Sequence, residues 1–340
     1  MKRSIINIIE EAEDFPSLSI VAIRLNQLVS DPDVSLHAIG SMIENDAAMV
    51  TRVLKNVNSG YYKLSSQVTN IHQAVSLLGL KTIRNIIYSV SLLDTFTHTN
   101  NEQYANLFIR SICAGVAGDL LSEVTHQKNR SEIYLSSLLQ NLGKFVFMFY
   151  LNREYINLLD EARDRAIDMF VLEKNYLKIH NGQAGTIIAE KWNLPKVVTL
   201  AIRYQYNINI IFKKTFSPEE AEIIKHAYLA GLAADIFLDW NKASRIAQFR
   251  KAYDVLVGEH NKTKADDILA AIPQLVNNLS SGFSLINIKI PELSEIFKIA
   301  DEELIHSKSI YNRTYTELVA SNAELKKIRN EFTLTDLHHN

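Results

Sequence analysis

Asn70-Ile71-His72-Gln73-Ala74-Val75-Ser76-Leu77-Leu78-Gly79-Leu80-Lys81-Thr82-Ile83-Arg84-Asn85-Ile86-Ile87-Tyr88-Ser89-Val90 decides the fold. Ile71, Ala74, Val75 and Leu78, then Ile83, Ile86, Ile87 and Val90, recur at spacings of three and four, the period of a helix with one buried face. Asn70 can cap the first helix through its side-chain oxygen, and Gly79 ends it before the second begins. The same grammar extends toward the amino terminus. Asn45-Asp46 introduces a helix with Met49, Val50, Val53 and Leu54 inward, broken at Asn58-Ser59-Gly60. A helix from near Ser35 turns Ile39 and Ile43 inward. Pro16 opens one whose stripe is Leu18, Val21, Leu25 and Leu28, and Asp31-Pro32-Asp33 stops it, because proline keeps the preceding residue out of the helical region. Residues 1–95 therefore read as a first bundle of about five short helices, with connections of ordinary length.

Toward the carboxy terminus the helices lengthen, with interruptions at Gly143, Gly182, Pro195, Ser217-Pro218 and Asn261. Residues 96–281 read as a second bundle and 282–292 as a linker. Alternating strand patterns are absent, so the expected fold is all-α, two helical sub-bundles followed by a long carboxy-terminal helix. In that last segment, 293–340, the positions Leu293, Phe297, Ala300, Leu304, Ser307, Tyr311, Thr314, Leu318, Ser321, Leu325, Ile328 and Phe332 alternate steps of four and three. This is the seam of a two-stranded coiled coil and predicts a homodimer. A single helix lying on its own globular body would carry the same stripe.

Composition narrows the function. With 47% hydrophobic residues, a net charge of −2 and a pI near 6.6, the chain has no field to draw nucleic acid or an anionic membrane. Met1-Lys2-Arg3 is basic, but Glu10, Glu11 and Glu13 cut the apolar residues that a signal peptide would need. The longest apolar run, Phe145 to Leu151, is too short to span a bilayer. One cysteine, Cys113, set among Ile112, Ala114 and Val116, excludes an internal disulfide and suits a reducing cytoplasm as a buried, inert thiol. The glycines form no phosphate loop, Ser and His form no nucleophile elbow, and His338-His339 has no further ligand beside it.

Several ordered landmarks then resemble the HDOD domain of bacterial regulators: Phe15-Pro16-Ser17-Leu18, Ser30-Asp31-Pro32, Ile43-Glu44-Asn45-Asp46, Arg52-Val53-Leu54, Asn58-Ser59-Gly60-Tyr61-Tyr62, Ile71-His72-Gln73-Ala74-Val75 and Leu77-Leu78-Gly79-Leu80. The second half resembles the HD-like portion of that family through Leu138-Leu139-Gln140-Asn141-Leu142-Gly143-Lys144, His180 with Gly185, and Trp192-Asn193-Leu194-Pro195. In catalytic HD relatives, histidines, a His-Asp pair and a late aspartate hold metals that activate water against a phosphate ester. Transferred onto this sequence, the first histidine becomes Arg110, and the His-Asp pair becomes Gln140-Asn141. His180 survives, the next histidine site falls at Arg203-Tyr204-Gln205-Tyr206, and the late aspartate falls near Tyr228. One imidazole and two amides cannot hold a dication against water, so the resemblance implies a module with no metal, no cofactor and no catalysis.

What the emptied site does has two readings. Arg110, with Arg203 and Lys144, could receive a nucleotide or other anion without cutting it. Alternatively, Arg110 pairs with a nearby acid, Gln140 and Asn141 satisfy each other and the backbone, and His180 is a core histidine. The expected function is a cytoplasmic signalling module that senses a small ligand or protein partner and relays it through the dimeric helix. The alternative is a degenerate metal-dependent phosphohydrolase acting on a phosphate ester or cyclic dinucleotide. Leu334 to Asn340 resembles the opening of a GGDEF diguanylate cyclase domain, which implies a cyclase beyond Asn340 and a role in c-di-GMP signalling.

Overall fold

The computed structural model describes residues 5–11, 15–16, 18–28, 35–97, 102–213, 216–258, 263–283, 289–309 and 318, and among them every regular element is helical. The first sub-bundle contains α1 (Ile5–Glu11), α2 (Ile20–Leu28), α3 (Leu36–Glu44), α4 (Ala47–Val57) and α5 (Ile71–Thr97). Its caps are those the residues predict. Ser35 accepts from the Ala38 N–H at 3.0 Å, Asp46 from Met49 at 2.9 Å and Asn70 from Gln73 at 2.8 Å. Gly79, at φ 76° and ψ 161°, kinks α5 where the sequence places the end of one helix and the start of another. α2 begins later than Pro16, with Ser19 accepting from the Ala22 N–H at 3.2 Å. Asp31-Pro32-Asp33 lies outside the described residues.

The second sub-bundle contains α6 (Glu102–Val124), α7 (Arg130–Leu139), α8 (Leu142–Leu151), α9 (Arg153–Asp164), α10 (Met169–Leu172), α11 (Asn181–Lys191), α12 (Lys196–Tyr204), α13 (Pro218–Leu238), α14 (Lys242–Leu256) and α15 (Ala265–Ser280). α6 and α13 pack on each other at its centre and are buried almost all round, so both read as apolar without one preferred face. α13 opens with a capping box, Ser217 accepting from the Glu220 N–H at 3.1 Å and Glu220 from the Ser217 N–H at 3.0 Å. Cys113 is fully buried in α6, and burial pushes its thiol up to about 12, so the inert reading holds.

Contacts cross the boundaries drawn from the sequence in two places. α1 belongs to residues 1–95 by order but packs on α11, where the Lys191 ammonium donates to the Ile9 carbonyl at 2.9 Å, so one core runs through both sub-bundles. The ends of the 282–292 linker are held: Phe283 packs edge-on against Phe108 at 5.2 Å, and Asn277 exchanges two hydrogen bonds with the Ile290 backbone, at 3.0 and 3.2 Å.

The last described helix, α16 (293–309), corrects the first part of the seam. Leu293, Ile296 and Ala300 are buried in the core, Phe297 stacks under Arg250 at 5.4 Å, and Glu303 accepts from the Ala243 N–H at 3.1 Å. Three seam positions are thus consumed within the chain, because an apolar stripe is indifferent to what covers it. Beyond them Leu304 is 57% exposed, Ile305 70% and Leu318 58%. Tyr311, Leu325, Ile328 and Phe332, and the GGDEF-like stretch, lie outside the described residues.

Candidate functional site

α6 and α13 run side by side, and α7 ends against both where Gln140 and Asn141 turn the chain into α8. Arg110 projects from α6 into this junction. Its guanidinium donates through one Nη to Asn141 Oδ1 and through the other to Asp235 Oδ1 of α13. The Arg110 and Asp235 side chains are 13% and 12% exposed. Burial opposes ionisation of Asp235, yet Arg110, Arg245 and Lys144 together hold its carboxyl below the usual carboxylate range. Gln140 donates to the Ser137 carbonyl at 2.9 Å, and its own carbonyl accepts from Gln205 Nε2 at 2.8 Å. The acid-pairing reading of Arg110 therefore describes the geometry, with Asn141 serving Arg110 rather than Gln140.

A second buried carboxylate lies deeper. Glu173, on a π-helical turn over Glu173–Leu177, is fully buried. It accepts from the Tyr155 hydroxyl at 2.6 Å, the Asn181 N–H at 2.7 Å and Asn181 Nδ2 at 2.9 Å. Burial pushes its carboxyl up despite these donors. Asn181 Nδ2 also donates to the Tyr206 hydroxyl at 2.7 Å. Asn181 is fixed by a backbone contact: a Cβ on Gly143 of α8 would stand 1.7 Å from the Asn181 carbonyl oxygen, so α8 and α11 cross with nothing between them.

Beside the Arg110 pair opens a cavity of about 450 Å³, lined by Arg110, Lys144, Arg163, Tyr155, Asp239 and Trp240 among others. Burial and the nearby Arg110 push the Lys144 ammonium down, and no carboxylate among the described residues pairs with it directly. Asp239 is held by Arg245 at 2.9 Å.

The remaining candidates disperse. His180 precedes α11 with its ring against Phe170 at 4.9 Å and Tyr206 at 5.8 Å, and burial lowers it to about 4, so it is neutral at pH 7. Arg203 pairs with Glu190 at 2.6 Å on the surface, and Tyr204 meets Phe216 edge-on at 5.8 Å. Tyr228 is half-buried and is not part of the cavity lining. The acid that pairs with Arg110 is Asp235, seven residues further along α13 than Tyr228. Two turns separate Tyr228 and Asp235 on nearly the same helix face, so an alignment by period cannot choose between them. The signal for Asp235 is a lone acid inside Gly231-Leu232-Ala233-Ala234-Asp235-Ile236-Phe237, since a buried charge needs a partner.

This centre does not fit a metal. A guanidinium occupies its middle, the nearby carboxylates of Asp235 and Asp239 are already paired with Arg110 and Arg245, and Gln140 and Asn141 bring only amides. Among the described residues no group of three or more His, Cys, Asp or Glu is arranged to hold an ion, and no helix is long and apolar enough to cross a membrane.

A model of the HDOD domain matches residues 15–208. The chain belongs to the HDOD family. An uncharacterized protein of Treponema pallidum (strain Nichols) is 29% identical over 203 residues, 59% of this chain and 39% of that protein, so the chain spans about two fifths of the length of that curated relative. Of solved structures, an HDOD domain protein from Geobacter sulfurreducens superimposes with a TM-score of 0.68 at 18% identity, over 84% of this chain and 97% of that one. A Shewanella amazonensis SB2B protein with a provisional phosphohydrolase name gives 0.60 at 17% identity, over 83% and 97%. A Marinobacter aquaeolei VT8 protein with a provisional signal-transduction name gives 0.57 at 19% identity, over 84% and 61%. At these identities the likeness is one of fold. The HDOD match stops at residue 208, while Asp235, which completes the Arg110 pair, lies beyond it.

Proposed function

We propose that this HDOD chain is a metal-independent, cytoplasmic regulatory module that receives a ligand or protein partner and passes the change to a second copy through its carboxy-terminal helix. The observation that carries this reading is the Arg110 guanidinium bonded to Asn141 and Asp235. The positive charge that an HD metal would contribute is supplied by the chain itself, so the fold keeps its centre without a Lewis acid. A hydrolase would need a divalent ion close to that guanidinium, where the two cations repel. Metal analysis of purified protein, with assays on a phosphate diester and on cyclic dinucleotides, tests this. The expected result is far less than one metal per chain and no turnover. Stoichiometric iron, manganese or zinc together with hydrolysis establishes the phosphohydrolase alternative instead.

The relay has its own support in the exposed apolar residues Leu304, Ile305 and Leu318, which follow the docked turns of α16. Single exposed leucines are ordinary, but Leu304 and Leu318 on the continuation of the heptad stripe, with Ile305 beside the first, suit a second helix. Sedimentation of the full chain is expected to give a dimer, and of a chain ended after Ser309 a monomer. Equal mass per particle for both overturns the relay. A diguanylate cyclase following Asn340 would be the output of such a rod.

A further inference from the structure

A second cavity, of about 700 Å³, lies away from the Arg110 centre, where the first sub-bundle meets the second. Its walls come from Tyr61-Tyr62-Lys63 and α5 on one side and from α6, α7 and α15 on the other. Much of its polar frame is spent internally. The Tyr61 hydroxyl donates to Asp119 Oδ2 at 2.6 Å, Arg130 spans Asp119 and Glu123, and Lys81 pairs with Glu132 at 3.0 Å.

Three kinds of group remain unspent. Asn85 is 7% exposed; its Nδ2 donates to the Ser131 carbonyl at 3.1 Å, while its Oδ1 is buried with no donor. A buried amide oxygen in that state is free to accept an N–H or O–H from a bound molecule. Tyr62 presents a ring, packed edge-on against Tyr61 at 5.0 Å, and a hydroxyl with no partner among the described residues. Lys63 and Lys128 stand exposed at the rim, forming no ion pair among the described residues. An acceptor at the base, aromatic and leucine walls, and ammonium groups at the mouth complement a planar ring bearing an N–H at one end and an anion at the other.

We propose that this inter-bundle cavity binds a nucleotide, whose base donates to Asn85 Oδ1 and stacks along Tyr62 while Lys63 and Lys128 hold its phosphate. The ligand touches both sub-bundles, so its affinity depends on how they sit together, and by linkage its arrival favours one arrangement. This deepens the regulatory reading by naming a ligand class, and it makes no use of the Arg110 centre, so the two can fail separately.

Calorimetric titration of the full chain with AMP and GMP tests the proposal, with orthophosphate as the anion lacking a base. Saturable one-site binding of at least one nucleotide is expected, much tighter than that of orthophosphate. Lys63→Glu/Lys128→Glu, at exposed positions that leave the unfolding midpoint in place, should weaken it about tenfold or more. Tyr62→Leu, which removes the ring that the base stacks on, should weaken it several-fold. Lys144→Ala, in the other cavity, should leave it unchanged. Absence of saturable binding up to millimolar nucleotide overturns the proposal. So does orthophosphate binding as tightly as a nucleotide, or binding that survives the rim variant and is lost in Lys144→Ala.

Discussion

Gly143→Ala is expected to abolish the cooperative fold. A Cβ there would stand 1.7 Å from the Asn181 carbonyl oxygen and 2.5 Å from its carbon, both backbone atoms that no rotamer change can move. Ordinary overpacking costs about 1–3 kcal/mol because side chains give way. Here α8 and α11 must part instead. The partner face is equally tight, since a Cβ on Gly185 would stand 2.8 Å from the Gly143 nitrogen. Parting the helices also draws Asn181 away from Glu173, leaving a fully buried carboxyl without two of its donors. The sum exceeds about 5 kcal/mol, a large share of the stability of an ordinary domain. Circular dichroism with denaturant titration should show no native baseline, and an unchanged midpoint would refute the backbone contact.

Asp235→Ala should cost about 3–5 kcal/mol, because it strands the Arg110 guanidinium in a site 13% exposed. Replacing both partners with apolar residues, Arg110→Met/Asp235→Leu, should recover much of that loss. A double variant no better than Asp235→Ala would show that the pair is not what the single change breaks. The same pair sets a pH dependence. The folded Asp235 carboxyl lies below its unfolded value, so its contribution is complete above about pH 4 and is lost as the pH falls through the depressed value. Glu173 and Asp239, both pushed up by burial, act in the opposite sense and gain in the folded state as they protonate. Asp235→Asn should therefore unfold with a flatter acid limb than the natural chain, and an identical acid limb would contradict the depressed carboxyl.

The fold was legible because its signals are local. Ser35, Asp46 and Asn70 each cap through an oxygen a few residues from the N–H it serves, and Gly79 marks the kink within α5. The site was legible only in part. Arg110 and Asn141 stand where the family pattern points, whereas Glu173, Tyr155 and Asn181 meet through separations of 8 and 18 residues across a π-helical turn that no helical period encodes. Asp235, which pairs with Arg110, lies 125 residues along the chain from it, a separation that local pattern does not encode. The seam of α16 was visible as a pattern, but its first positions pack on the chain's own core, a choice made by the neighbours rather than by the stripe.

The bond from Glu303 to the first turn of α14 fixes where this molecule can be cut. Asn241, the residue before α14, is left-handed at φ 62° and makes no side-chain cap, so a carboxylate sixty residues downstream satisfies the Ala243 N–H in its place. A chain ended at the linker would leave that amide bare and uncover the apolar surface that Leu293, Ile296 and Ala300 shield. A fragment that extends past Glu303 is accordingly expected to be more stable than one ended at the linker, and one trimmed to the family match, residues 15–208, also lacks the Asp235 that pairs with Arg110.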